Sequence, residues 1–410
     1  MSVPGTAVSD RENTGALAGV RIVDVSRVLA GPLCTQILAD HGADVIKVEP
    51  PKGDETRTLG PPFDDNGDAA YFAAVNRGKR ALSLDLSKGE GRAVLEKLLE
   101  NADVFVENFL PGTLERWGLG YETALSKRFP RLIYCTITGF GADGPLGGLP
   151  GYDAVLQAMC GVMSVNGSKV SGPTRMGVPI VDYVTGYSAL TGILMALYVR
   201  ERTGKAQKVE ATLFDTALSL LVPHAANWLC SDRAPGLLGS AHPNISPYDK
   251  FKAGSGELFL GVLNDGQFRR LCERISRKDL FDDPRFKSNA KRVENRDVLR
   301  RELEKTFAAF EVEALCKDLM ANGVPAGPVH NVAQAFAQPH AAHRQMLVER
   351  EGYRGVGVPL KLSETPGRPG RRPPLFNEHA EEVLREAGCR QDEINELRAS
   401  DVPRERPARS

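Results

Sequence analysis

The chain has no excess of either charge. Lys plus Arg number 52, as do Asp plus Glu, so the formal charge is zero. That balance argues against a nucleic-acid stripe or a polybasic membrane patch, and the short basic end at residues 404–409 reads as a solvated terminus. There is no disulfide pattern either. The seven cysteines (Cys34, Cys135, Cys160, Cys230, Cys272, Cys316, Cys389) are odd in number, widely spaced and free of any C-x-x-C. They read as reduced, mostly buried thiols of a cytoplasmic protein, with no zinc or other metal site. Familiar catalytic signatures are missing: no G-x-S-x-G, no Walker A motif, no H-E-x-x-H. The histidines are scattered; His330 and His343 read as surface or packing residues. Residues 1–16 carry Asp10 and Glu12 and no apolar segment, so neither a signal peptide nor a transit peptide is expected there. The most apolar run, residues 184–199, contains Thr185, Ser188 and Thr191 and is short for a bilayer. A buried helix is expected there, and no membrane association.

What is present is an alternation. Apolar strand patterns at residues 20–25, 44–49, 81–86, 103–107 and 132–137 are interleaved with helical patterns such as 33–41 and 90–100. Strand–helix–strand repetition implies a parallel sheet, so the expected fold is α/β with a Rossmann-like, doubly wound sheet. A literal G-x-G-x-x-G spans Gly139 to Gly144. Pro145 and Gly147-Gly148 follow it instead of a helix, so it reads as a loop, not a dinucleotide fingerprint. A strand at 209–214 and a helix at 216–229 come next. From about residue 234 the character changes: residues 251–263 alternate around Gly254-Ser-Gly256, a hairpin signature. Polar, Arg-rich helices then fill 267–320. The expected division is a disordered tail (1–17), a large domain (18–230), a second, smaller α+β domain (231–335), and a linker and C-terminal segment returning to the large domain (336–410).

Asp182 interrupts the longest apolar stretch, among small residues. A charge there is costly unless paired or hydrogen-bonded. Periodicity favours a helix cap, since Asp is a preferred N-cap and an apolar helix follows. The other reading is chemical: one carboxylate beside glycine-rich loops.

A set of motifs then resembles a known family, the class III coenzyme A transferases. The matches are Val28-Leu-Ala-Gly-Pro32, Val45-Ile-Lys-Val-Glu-Pro50, Asn76-Arg-Gly-Lys-Arg80, Val106-Glu-Asn-Phe109, Gly139-Phe-Gly141, Gly151-Tyr-Asp153, Asp182, Thr203-Gly-Lys205, His242-Pro243, Pro247-Tyr248 and Gly323-Val-Pro-Ala-Gly-Pro328. The resemblance implies that Asp182 is a nucleophile, attacking an acyl-CoA and passing through a mixed anhydride and an aspartyl-CoA thioester. It implies CoA as substrate, with no prosthetic group, and a carboxylic acid as the second substrate. It implies CoA contacts at Val28, Leu29 and Ala30, at Leu84, Asp85, Leu86 and Ser87, at Asn108, Phe109 and Leu110, and at Arg116. Pro150, Gly151, Tyr152 and Asp153 would lie near the thioester. The family forms interlocked homodimers, so the same is expected here.

Three departures narrow the substrate. Leu29 stands where formyl-CoA transferase has glutamine, Pro50 replaces a CoA-contacting arginine, and only residues 239–248 stand for its glycine-rich loop. Oxalate/formate exchange is therefore not expected. Residues 57–62 and 240–242 look more like the succinate–hydroxymethylglutarate branch, which points to succinyl-CoA and a dicarboxylate acceptor. Lys52 is a candidate to replace the lost arginine charge. The runner-up reading is an α-methylacyl-CoA racemase, but that chemistry pairs the aspartate with a histidine, and Tyr152 stands at its position. A phenol with a pKa near ~10 is a poor base at neutral pH. A non-catalytic CoA-binding protein, with Asp182 as a cap, is the third.

Overall fold

The computed structural model describes residues 15–399; most of the N-terminal tail and the basic C-terminal end lie outside them. Six strands form one parallel sheet: β1 (Arg21–Asp24), β2 (Asp44–Glu49), β3 (Arg80–Ser83), β4 (Val104–Glu107), β5 (Ile133–Thr138) and β6 (Lys208–Thr212), in the order β3-β2-β1-β4-β5-β6. This is the doubly wound arrangement expected. Ile22 pairs with Val45 on one side and Val104 on the other. Strands covered on both faces need continuous apolar runs rather than alternation; Val104, Phe105 and Val106 are all fully buried. The strand order reverses between β1 and β4. Ligands of such sheets bind in the crevice at that switch point, beyond the carboxyl ends of the strands.

Two helices frame the crevice. Every residue of α1 (Ala30–Asp40) is buried. The long helix after Asp153–Met159 (α2) is α3 (Ile180–Thr203), and Gly186 marks where it meets α1. A Cβ on Gly186 would come within 2.8 Å of the Ala30 carbonyl oxygen, so only glycine allows this approach. At its far end, buried Arg200 pairs with Asp103 at 2.9 Å. At 24 residues, α3 is longer than the apolar run in the sequence suggested, and by length and composition it could cross a membrane. Length alone therefore does not exclude a span; packing against α1, β5 and β6 puts one face of α3 in the core, while Leu194, Met195 and Tyr198 stay exposed. The helix expected at 216–229 is two helices, Leu213–Ser219 and His224–Ser231. Pro223 lies between them, and its missing N–H and ring break the run.

The described residues divide into two compact units: one formed by residues 15–160, Val178–Leu220 and residues 339–399, the other by Gly161–Gly177 and Leu221–Gln338. In the first, helix Ala380–Glu386 buries Val383 and Leu384 in the same apolar cluster as Ile46, Leu82 and Phe105. In the second, strands Tyr248–Ala253 and Gly256–Gly261 form the expected hairpin, with Ala326–Pro328 as third strand. Phe251, Leu260, Phe268, Phe307 and Leu319 form its core.

Candidate active site

The turn from β1 into α1 is fastened from several sides. Asp24, fully buried, accepts from the Ser26 N–H and hydroxyl, the Thr35 hydroxyl and Lys79 Nζ (3.1 Å). Lys47 Nζ donates to the Ser26 carbonyl (3.0 Å) and to Asp54 (2.9 Å). Burial works against every one of these charges. For Asp24 the Lys79 and Lys47 cations outweigh it and hold the carboxyl below its usual range. Asp54 is held at about 2 despite burial, chiefly by Lys47. For Lys79 burial wins and lowers the ammonium to about 8. Asn108 completes the clamp: its carbonyl accepts from Arg27 N–H (2.9 Å) and its amide donates to the Arg27 carbonyl (2.8 Å). Next in sequence, Val28 has φ 70°. A β-branched residue in this left-handed region carries strain of about 1–3 kcal/mol and persists only where its surroundings over-determine it.

Asp182 is not the cap that periodicity favoured. It is the third residue of α3, whose flanking residue is Pro179 with no capping side chain of its own. The cap comes from Asp153, the first residue of α2. Its Oδ2 accepts from the N–H groups of Val181 (2.8 Å) and Asp182 (3.2 Å), and its Oδ1 accepts from Gln157 (2.7 Å). No hydrogen bond from the described residues reaches the Asp182 carboxylate. Its pKa is pushed up to about 7, first by burial and then by the negative charge of Asp153. Capping would have favoured the ionised form; the actual surroundings disfavour it. Tyr71 feels the same site: burial, then the Asp182 charge, raise its phenol to about 12.

Asp182 opens onto a cavity of about 260 Å³. Val28, Leu29 and Ala30 line it from the turn, Asn108, Phe109 and Leu110 from the end of β4, and Pro150, Gly151 and Tyr152 from the loop before α2. That loop passes close to the Gly139 turn: a Cβ on Gly151 would lie 2.8 Å from the Gly139 Cα. An adjoining cavity of about 380 Å³ shares Arg27, Phe109 and Leu110 with the first and is lined by Leu84, Asp85, Leu86 and Ser87. Phe109 meets Trp117 edge-on in its wall, 5.4 Å between centroids. So the structure brings together all the sequence-derived site residues but two. Asp153 stands behind Asp182, and exposed Arg116 lines neither cavity but bonds the hydroxyl of Thr113 (3.0 Å), which lines the second. Asn108 lines the first cavity, but its amide is committed to the Arg27 backbone. Sequence reasoning missed the buried Asp24–Lys79 and Lys47–Asp54 pairs, the cap from Asp153, Tyr71 and the Arg27–Glu55 pair in the cavity wall. A hint lay in the charges within the apolar strands, at Asp24 and Lys47; nothing local marked the others.

Fold and cavity together define an α/β enzyme whose candidate nucleophile is a carboxylate, set beside a strand–helix turn at the sheet's switch point. Comparison with known proteins gives the family. The model of CoA-transferase family III matches residues 17–380. The chain is 42% identical to a succinyl-CoA:mesaconate CoA-transferase of Haloarcula hispanica, covering 91% of this chain and 97% of that protein. It is 41% identical to a succinate–glutarate CoA-transferase of Agrobacterium fabrum, covering 90% and 95%. Among solved structures, a CaiB/BaiF family protein from Brucella suis superposes with TM-score 0.83 at 41% identity, covering 91% of this chain and 99% of that one. This chain belongs to CoA-transferase family III and is a CoA-transferase.

Proposed function

We propose that the enzyme moves CoA from succinyl-CoA to a second dicarboxylic acid, with Asp182 as the covalent carrier. The desolvated Asp182 carboxylate at the wall of the cavity carries this reading. Asp182 Oδ attacks the thioester carbonyl; the C–S bond breaks, leaving a mixed anhydride and CoA thiolate. The thiolate attacks the Asp182 side-chain carbonyl, the anhydride C–O bond breaks, and the first acid leaves. The enzyme now holds an aspartyl-CoA thioester. The acceptor carboxylate attacks it, forming a second anhydride and thiolate, and the thiolate takes the new acyl group. Asp182 is restored, with no net proton or electron transferred.

The electrostatics favour this sequence. A carboxylate raised by burial and by a neighbouring carboxylate is more basic and more nucleophilic than one in water. Both covalent states are neutral at Asp182, so forming them relieves the cost of the buried charge. Leu29 flanks α1 and Ala30 begins it, where the first N–H groups of a helix have no intrahelical acceptor; both residues border the same cavity and suit a developing oxyanion. The second cavity, with Leu84, Leu86, Phe109 and Trp117, suits the nucleotide end of CoA. The racemase alternative gains nothing: among the described residues no histidine lines the Asp182 cavity. The relatives' names support the donor class. We also propose a homodimer; apolar Leu194, Met195 and Tyr198 on α3 are 40%, 62% and 63% exposed, as a helix that meets a second copy would be.

Asp182→Asn tests the reading. It is expected to abolish exchange between labelled succinate and succinyl-CoA while CoA binding persists. Exchange at the wild-type rate would remove Asp182 from the chemistry; CoA binding by a wild type that exchanges no acid would support a binding protein instead.

A further inference from the structure

Among the described residues, one cationic side chain lines the two cavities. Arg27 lines both, and the other charged residues on the walls are Glu49, Glu55, Asp85 and Asp182. Lys52 and Arg116 line neither. Glu49 is taken up by Arg57 at 2.7 and 2.8 Å. Asp85 accepts from the Ser87 N–H and hydroxyl. Pro50 contributes no charge to the second cavity. Asp85 also has Lys88 at 3.7 Å, so a ligand carrying several phosphate charges meets Arg27 as the cation on these walls whose partner, Glu55, is itself exposed.

That guanidinium is built to change partners. Its Nη1 lies 3.0 Å from Glu55 Oε1, with 35% of the Arg27 side chain and 58% of the Glu55 side chain exposed. Ion pairs this exposed contribute little and exchange readily. The backbone beneath is fixed by the two Asn108 hydrogen bonds. The side chain can thus turn while the turn itself stays in place. The guanidinium lies 5.8 Å from the centre of the Phe109 ring, at the seam of the two cavities.

We propose that Arg27 is the cation for the phosphate groups of the CoA moiety, and that on binding it leaves Glu55 for a phosphate. The proposal rests on the CoA-transfer reading of this site. It assigns to Arg27 the role left open by Pro50, which the sequence had offered to Lys52. The planar donor fork of arginine suits paired phosphate oxygens.

The test compares succinyl-CoA with succinyl-pantetheine, which has the same thioester and no phosphate. Arg27→Gln is expected to lower kcat/KM for succinyl-CoA about ten- to hundredfold, through KM, the size of a lost charge-assisted pair. With succinyl-pantetheine the variant matches the wild type. Glu55→Gln is expected to lower the KM for succinyl-CoA about threefold or more, because a competing anion is gone, and again to spare succinyl-pantetheine. Equal losses with both donors, or a rise confined to the KM of the acceptor acid, would overturn the assignment. Calorimetric titration with CoA separates this from the transfer reading, since it needs no turnover. Weaker CoA binding by Arg27→Gln supports the assignment whether or not acids exchange; unchanged CoA binding overturns it.

Discussion

Asp24 at the end of β1 and Asp182 in the first turn of α3 are two carboxylates withdrawn from water, and they are treated in opposite ways. Asp24 has two lysines and two hydroxyl groups around it, and its carboxyl is held below the usual range. Asp182 has a second carboxylate as its charged neighbour and is pushed up to about 7. The first arrangement compensates a buried charge and fixes a turn; the second leaves a charge uncompensated, as the proposed nucleophile requires. Strongly perturbed groups in a cleft mark functional sites, although structural pairs perturb pKa values too. The contrast supports the proposed assignment: the carboxylate that fixes the turn is satisfied, and the one proposed as nucleophile is not.

Substitution at each should therefore fail differently. Asp182→Asn should reduce acid exchange by at least about a thousandfold, as loss of a covalent nucleophile does, measured by transfer of labelled succinate. The same change should stabilise the fold by about 1–3 kcal/mol at neutral pH, since a disfavoured charge is gone; the figure is discounted for partial solvent access. Lys47→Met should do the reverse. It leaves Asp54 buried without its cation, and denaturant unfolding should show a loss of about 3–5 kcal/mol. If both variants lost stability alike, the contrast would collapse.

The pH dependence sharpens the comparison. Asp182 binds its proton more tightly folded than unfolded, so its ionisation costs stability as pH rises. The stability advantage of Asp182→Asn over wild type should be absent below about pH 4 and should grow to its full value near pH 7, followed by thermal melts across that range. Activity runs the other way: kcat/KM for the donor should climb about tenfold per pH unit and level off above about 7. The smallest effect is expected at Asp153. Asp153→Asn keeps an oxygen to cap α3 but removes the neighbouring charge, so the midpoint of the pH–rate profile should fall by about half a unit to one unit. Asp153→Ala removes the cap as well, at about 0.5–2 kcal/mol.

The fold was largely legible because its signals are local. Runs such as Val104-Phe-Val106 are apolar throughout, and Gly254-Ser255 bends a hairpin by itself. Much of the site was legible only through resemblance, which named Asp182 and the cavity-lining segments. What stayed hidden depends on contacts between distant segments. Asp153 caps a helix 29 residues further on. Asn108 spends its amide on a turn 81 residues earlier. The need for glycine at 186 appears only when α1 is laid against α3. The same limit explains the misreading of Asp182: its sequence context fits a cap, and only the position of Asp153 shows that the cap was already supplied.

One measurement tests the central claim most directly: hydroxylamine added during turnover, followed by mass mapping of the peptides. The account predicts a hydroxamate on Asp182 that forms only when an acyl-CoA is present, with matching loss of activity. Undiminished exchange with Asp182 unmodified, or a hydroxamate on another carboxylate, would contradict it.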